Sequence, residues 1–182
     1  MPIPALVALV VGGAGPIGAA VSRALNDEGA HLLIAHHAQP VGAGTRLADE
    51  LGPSARFELL DPRDEREWIA TVSDGVGCFG GLDALVLVEP DATAVAMALR
   101  TAGPHLARRG GAFVGMARSE AAHVLTLAGI PVVALPDGED GDGTGVAVDD
   151  ALADDLAARA VRFVRSGLRT SPRTLRGPTA KP

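Results

Sequence analysis

The stretch from Leu6 to Gly18, LVALVVGGAGPIG, constrains this chain more than any other. Leu6 to Val11 is a continuous apolar run, the pattern of a strand covered on both faces. Glycines follow at once. Ala19, Ala20, Val21, Ala24 and Leu25 then recur at helical spacing. A buried strand, a glycine turn and a helix form one unit of a parallel α/β layer. Within the turn, Gly13-Ala14-Gly15-Pro16-Ile17-Gly18 spells G-x-G-x-x-G. Such a turn permits close approach of a pyrophosphate, which sits on the free N–H groups of the helix start. Pro16 suits a first helical position, where its fixed φ is right and its missing N–H costs nothing.

The rest of the chain alternates in the same way. The first helix ends near Asn26–Gly29, and Ala30–Ala35 reads as a second buried strand running into His36 and His37. Gln39–Gly44 reads as a flexible link and Thr45–Leu51 as a helix stopped by Gly52-Pro53. Arg56–Leu60 is a third strand. Asp61 is placed to cap the next helix, with Pro62 at its first position, and that helix carries Trp68, Ile69 and Val72. Ala84–Val88 is a fourth strand, ended by Glu89-Pro90. Asp91–Ala102 is an alanine-rich helix interrupted at Gly103-Pro104. Ala112–Met116 is a fifth strand, Ser119–Ala128 a short helix, and Ile130–Leu135 a sixth strand. This spacing predicts a three-layer α/β Rossmann fold, a doubly wound parallel sheet of about six strands in the order 3-2-1-4-5-6. The order reverses beside the first strand, so a pocket is expected above Gly12–Gly18 and the end of Val88.

Composition bounds the rest. The 182 residues suit a single domain over 1–170, with a loose basic tail over 171–182. Aromatics are 3% against 47% hydrophobic residues overall, so the core is built from Ala, Val and Leu. A net charge of −6 argues against nucleic-acid binding. A single cysteine, Cys78, suits a reducing cytosol, and no apolar run reaches the length of a membrane span. A soluble, cytoplasmic protein is expected.

With these residues placed, the chain resembles the short-chain dehydrogenase/reductase family. VVGGAGPIG is similar to that family's first turn and ALNDEGAHLLIA to the run into its second strand. FELLDPRD is similar to the third strand, with Asp61 as its adenine-side aspartate. GGLDALVLV and GIPVVALPDG are similar to the fourth and sixth strands. The likeness spans most of residues 5–138 and is looser over 146–168. It implies cofactor-binding roles for Gly12, Gly15, Ile17 and Gly18 at the pyrophosphate turn, for His36 and His37 at the ribose end, and for Asp61. No acid follows the second strand where NAD-dependent members hold the ribose, so NADP is expected in preference to NAD, bound weakly if at all.

Departures from the family pattern are concentrated at its chemistry. Pro16 replaces a glycine of the classical spacing. The Asn-Asn-Ala-Gly end of the fourth strand has become Leu87-Val88-Glu89-Pro90. The serine position falls near Ala117 or Arg118, with Ser119 adjacent. The chain has no tyrosine, its one lysine is Lys181, and its one asparagine is Asn26. The usual Asn-Ser-Tyr-Lys tetrad cannot be assembled from this inventory. The segment that carries Tyr-x-x-x-Lys in the family is cut to Arg118–Gly129.

Two readings follow. One is a non-catalytic or regulatory subunit that partners an active relative, as a homo- or hetero-oligomer. For this reading, shortened helices should leave Val95, Leu99, Leu106, Val124 and Leu127 uncovered. The other is an NADP(H)-dependent oxidoreductase or non-redox enzyme with rebuilt chemistry, carried by Ser119, His123 or an acid of Asp137–Asp142. The acidic run Asp137–Gly145 fails as a calcium loop, because Ala151 stands where the bidentate glutamate belongs. His105 lacks a patterned partner. The last helix, Asp149–Ser166, is expected to stop at Gly167. Beyond Asp155 the chain is basic, so Arg159, Arg162, Arg165 and Arg169 offer a cationic helix face.

Overall fold

A computed structural model describes residues 6–37, 41–136 and 149–169. Six parallel strands form one sheet in the order β3-β2-β1-β4-β5-β6. They are β1 (Val7–Val11), β2 (His31–His36), β3 (Ala55–Leu59), β4 (Ala84–Val88), β5 (Ala112–Ala117) and β6 (Val132–Ala134). The helices between them are α1 (Pro16–Asp27), α2 (Val41–Leu51), α3 (Glu65–Phe79), α4 (Ala92–Thr101), α5 (Gly103–Arg109), α6 (Ser119–Leu127) and α7 (Asp150–Arg169). The expected strand order and the start of the first helix at Pro16 are both present.

Alternate residues of β1 enter separate cores. Ala8 and Val10 pack with Val21 and Leu25 of α1 and with Leu156, Ala160 and Val164 of α7. Leu9 and Val11 pack with Trp68 and Val72 of α3, Val95 of α4 and Leu125. Both faces of the central strands are therefore buried, which explains their uninterrupted apolar sequence. At the strand N-termini, buried Asp83 accepts from the Val7 N–H and from two nitrogens of Arg109 at 2.7 and 3.2 Å. That cluster fixes the end of the sheet remote from the glycine turn.

Several local expectations are corrected. Residues Val41–Gly44 belong to α2 rather than to a link. Gly44 fits there because a Cβ would lie 2.1 Å from the Phe57 ring, so the helix can close onto β3. Asp64, not Asp61, caps α3, its carboxylate accepting from the N–H groups of Arg66 and Glu67. Gly167 lies inside α7 instead of ending it, because a Cβ there would stand 2.9 Å from that of Ala112, where α7 crosses β5. Val95 and Leu106 are buried, while Leu99 and Leu127 are 40% and 75% exposed. The uncovered apolar surface is thus smaller than the shortened helices suggested. Of the arginines on α7, Arg159 lies 4.0 Å from Asp155 and Arg165 pairs with Glu28 of the α1 end. The acidic run 137–148 and the tail 170–182 lie outside the described residues. Among the described residues, no helix is long and apolar enough to cross a membrane.

Candidate functional site

The glycine turn is held from below and open above. Gly12 and Gly13 both donate to the Ala35 carbonyl at the end of β2, at 2.9 and 3.1 Å. Gly12 takes φ +82°, a left-handed conformation that glycine adopts without a Cβ penalty. At Gly18 a Cβ would lie 2.2 Å from the Gly12 carbonyl oxygen, so α1 reaches the turn because this residue has no side chain. Gly15 is different. It is extended, and the nearest atom to an added Cβ is 3.6 Å away. Packing does not require glycine at that position. Pro16 is the first residue of α1, and among the described residues the Ile17 and Gly18 N–H groups have no backbone partner. Two donors and the positive end of the helix dipole therefore face the cleft.

That cleft has a volume of about 600 Å3. All seven residues assigned from sequence, Gly12, Gly15, Ile17, Gly18, His36, His37 and Asp61, line it. The two histidines end β2 with ring centroids 5.8 Å apart. Burial, and then repulsion from His37, hold the His36 pKa below its ordinary value, so its ring is neutral at pH 7. Its Nδ1 is buried without a hydrogen-bond partner. Asp61 shapes the β3–α3 turn rather than capping the helix. Its Oδ1 accepts from the Arg63 N–H at 2.9 Å, and its own N–H donates to Glu67. Fully buried Trp68 pins the same turn by donating from Nε1 to the Pro62 carbonyl.

The far wall comes from the end of β4. Asp91 caps α4 by accepting from the Ala94 N–H at 2.8 Å, and Arg63 reaches across to the same carboxylate at 2.6 Å. The Ala94 N–H first, and Arg63 beside it, hold the Asp91 carboxyl below its usual range. Glu89, between β4 and this cap, has φ +50°, a conformation rare outside glycine. Its carboxylate pairs with Arg118, the residue preceding α6, at 3.1 Å. Sequence reasoning placed neither side chain in the site. The replacement of Asn-Asn-Ala-Gly by Leu-Val-Glu-Pro was the available signal. Other expected groups fall elsewhere. His123 is exposed and does not line the cleft, and His105 lies on α5. The side chain of Ser119 and the acids Asp137–Asp142 are outside the described residues. Among the described residues, no group of three His, Cys, Asp or Glu is arranged for a metal.

No protein-family profile matches the chain. It is 40% identical over 80 residues to a 3-alpha-(or 20-beta)-hydroxysteroid dehydrogenase of Mycobacterium tuberculosis, a stretch covering 44% of this chain and 30% of that protein. It is 35% identical over 89 residues to a 3-hydroxyacyl-CoA dehydrogenase type-2 of Drosophila melanogaster, covering 49% and 34%. The chain thus spans about a third of the length of these curated relatives. In fold it is similar to a 3-ketoacyl-(acyl-carrier-protein) reductase of Brucella melitensis crystallised with NADH. The TM-score is 0.68, with 20% identity, over 91% of this chain and 93% of that one.

Proposed function

We propose, from kinship with the short-chain dehydrogenase/reductases, that the chain holds a nicotinamide dinucleotide weakly and serves as a non-catalytic or regulatory subunit of an active oxidoreductase. The observation that carries this reading is an asymmetry within the cleft. The pyrophosphate turn, the ribose end and the adenine-side aspartate line one hollow. The reacting end offers Glu89, Pro90 and Arg118 in place of a tyrosine and lysine, and the chain contains no tyrosine. Reduction of a carbonyl needs an acid of suitable pKa within reach of its oxygen. The relative complexed with NADH supports a nicotinamide nucleotide as the occupant. The lack of an acid at the end of β2 favours NADP over NAD, by a small margin because the His36 imidazole is neutral. Leu99 on α4 and Leu127 on α6 are exposed apolar residues that a protein partner would cover.

The test is calorimetry with NAD and NADP, followed by NAD(P)H oxidation against a carbonyl panel and light scattering with and without an active relative. Expected are dissociation constants well above about 1 μM, no turnover by the chain alone, and a stable complex that alters the relative's activity. Tight NAD binding would overturn the weak-cofactor reading. Turnover by a lone monomer, abolished by His123→Ala, would establish a rebuilt enzyme instead.

A further inference from the structure

We infer that the hollow between the α4 and α6 starts is a binding site for a small aliphatic carboxylate, received by Arg118 in exchange for Glu89. This hollow, of about 490 Å3, adjoins the nucleotide cleft and shares Glu89, Pro90 and Asp91 with it. Its size falls within the range of small-molecule sites. It needs no bound nucleotide, so the inference stands apart from the cofactor reading.

Arg118 borders the hollow and faces Glu89 across it. Its side chain is 33% exposed, and Nε and an Nη both point at one oxygen of Glu89, Oε1, at 3.1 Å. A guanidinium offers a planar fork that two carboxylate oxygens fill side by side. Glu89 meets both arms with a single oxygen and leaves that arrangement incomplete. Its backbone is held at φ +50° before Pro90, where a residue preceding proline otherwise adopts extended geometry, so the carboxylate is tethered to a constrained turn. Strained residues of this kind are held by their surroundings and collect at ligand clamps. A free carboxylate is under no such tether and can present both oxygens.

The remaining walls select the body of the ligand. Pro90, Ala92, Ala121 and Val124 are apolar, and Thr93 adds one hydroxyl. The other acid on the hollow, Asp91, is occupied by Arg63 and the Ala94 N–H, which offset its charge. On exchange the ligand carboxylate takes the place of Glu89 on the guanidinium, and the displaced Glu89 carboxylate, half-exposed, turns to solvent and opposes the exchange by its remaining charge. A short alkyl chain would lie against Val124 and Ala121, which line the same hollow.

The test is a titration of the full chain, without nucleotide, followed by amide NMR shifts. Butyrate and hexanoate are the probes, with butyramide, butylamine and inorganic phosphate beside them. Saturable binding of both acids is expected, hexanoate the tighter, with shifts centred on residues 89–93 and 118–124. Glu89→Gln should tighten hexanoate binding roughly two- to fivefold, the strength of a half-exposed ion pair removed. Arg118→Gln should weaken it on the order of tenfold or more, as loss of a charged donor does. Thermal melting establishes that each variant folds. Should Arg118→Gln unfold, Arg118→Lys decides, because a point charge without the fork must also bind more weakly. The inference is overturned if neither wild type nor Glu89→Gln binds saturably, if butyramide, butylamine or phosphate binds as well as hexanoate, or if binding is indifferent to Arg118.

Discussion

The glycine turn and the β4–β5 end face each other across one cleft, yet they are constrained by different forces. At the turn, packing dictates sequence. Gly18 cannot carry a Cβ against the Gly12 carbonyl, and Gly12 is left-handed beneath Val88. These residues are required for α1 to meet β1 whether or not a nucleotide is bound. At the β4–β5 end nothing in the core fixes the side chains. Glu89 and Arg118 point into open hollows and pair across 29 residues of sequence. A fingerprint can therefore persist for structural reasons while the chemistry opposite it changes. Of the turn glycines Gly12, Gly15 and Gly18, Gly15 is the one that packing leaves free, and it becomes the position that reports on nucleotide binding.

The strongest test of this contrast is Gly18→Ala. A backbone oxygen 2.2 Å from the new Cβ cannot move without displacing the turn. Loss of more than about 3 kcal/mol, or failure to fold, is expected in urea unfolding. Gly15→Ala should do the reverse. Its extended backbone and open surroundings should keep stability within about 0.5 kcal/mol of wild type. Dinucleotide affinity should fall roughly tenfold, as calorimetry would read, because a methyl then meets the pyrophosphate. If Gly15→Ala leaves affinity unchanged, the turn is a packing relic and the cofactor reading fails.

On the opposite wall, Asp91→Ala removes a helix cap and should cost about 1 kcal/mol. The folded-state pKa of Asp91 is depressed, so its stabilisation is present above the unfolded value and disappears as pH falls through the folded one. The gap between wild type and variant should be full at neutral pH and shrink below about pH 4 in unfolding curves. The smallest effect concerns the ribose end. Because the His36 pKa is lowered, its positive form appears below its ordinary pKa. The NADP-to-NAD affinity ratio should rise about two- to fivefold between pH 7.5 and pH 5.5. His36→Gln with His37→Gln should flatten that rise.

The sheet was legible because each central strand is an unbroken apolar run, a signal that both covered faces impose together. The strand, turn and first helix were legible because the glycine spacing lies between a buried strand and a helical pattern that begins at Pro16. The start of α2 was hidden by Gly42 and Gly44, poor helix formers, and the place of Gly44 depends on the Phe57 ring from a later strand. Asp61 and Asp64 compete for one cap, and local sequence does not distinguish them. The buried Trp68 pins the turn by its bond to Pro62 and leaves Asp64 as the cap. The Glu89–Arg118 pair has no local signature, since a glutamate before proline predicts extended backbone rather than φ +50°.

One consequence follows from where α7 lies. Ala153, Leu156, Ala157, Ala160 and Val164 complete the same core that β1 and α1 begin. During synthesis β1 and α1 leave the ribosome well before α7, their partner in this layer. Until it arrives, Ala8, Val10, Val21 and Leu25 share an apolar face lacking that cover. The nascent chain must therefore wait for α7 before this layer closes. A chaperone that shields the waiting face would raise the yield of folded protein.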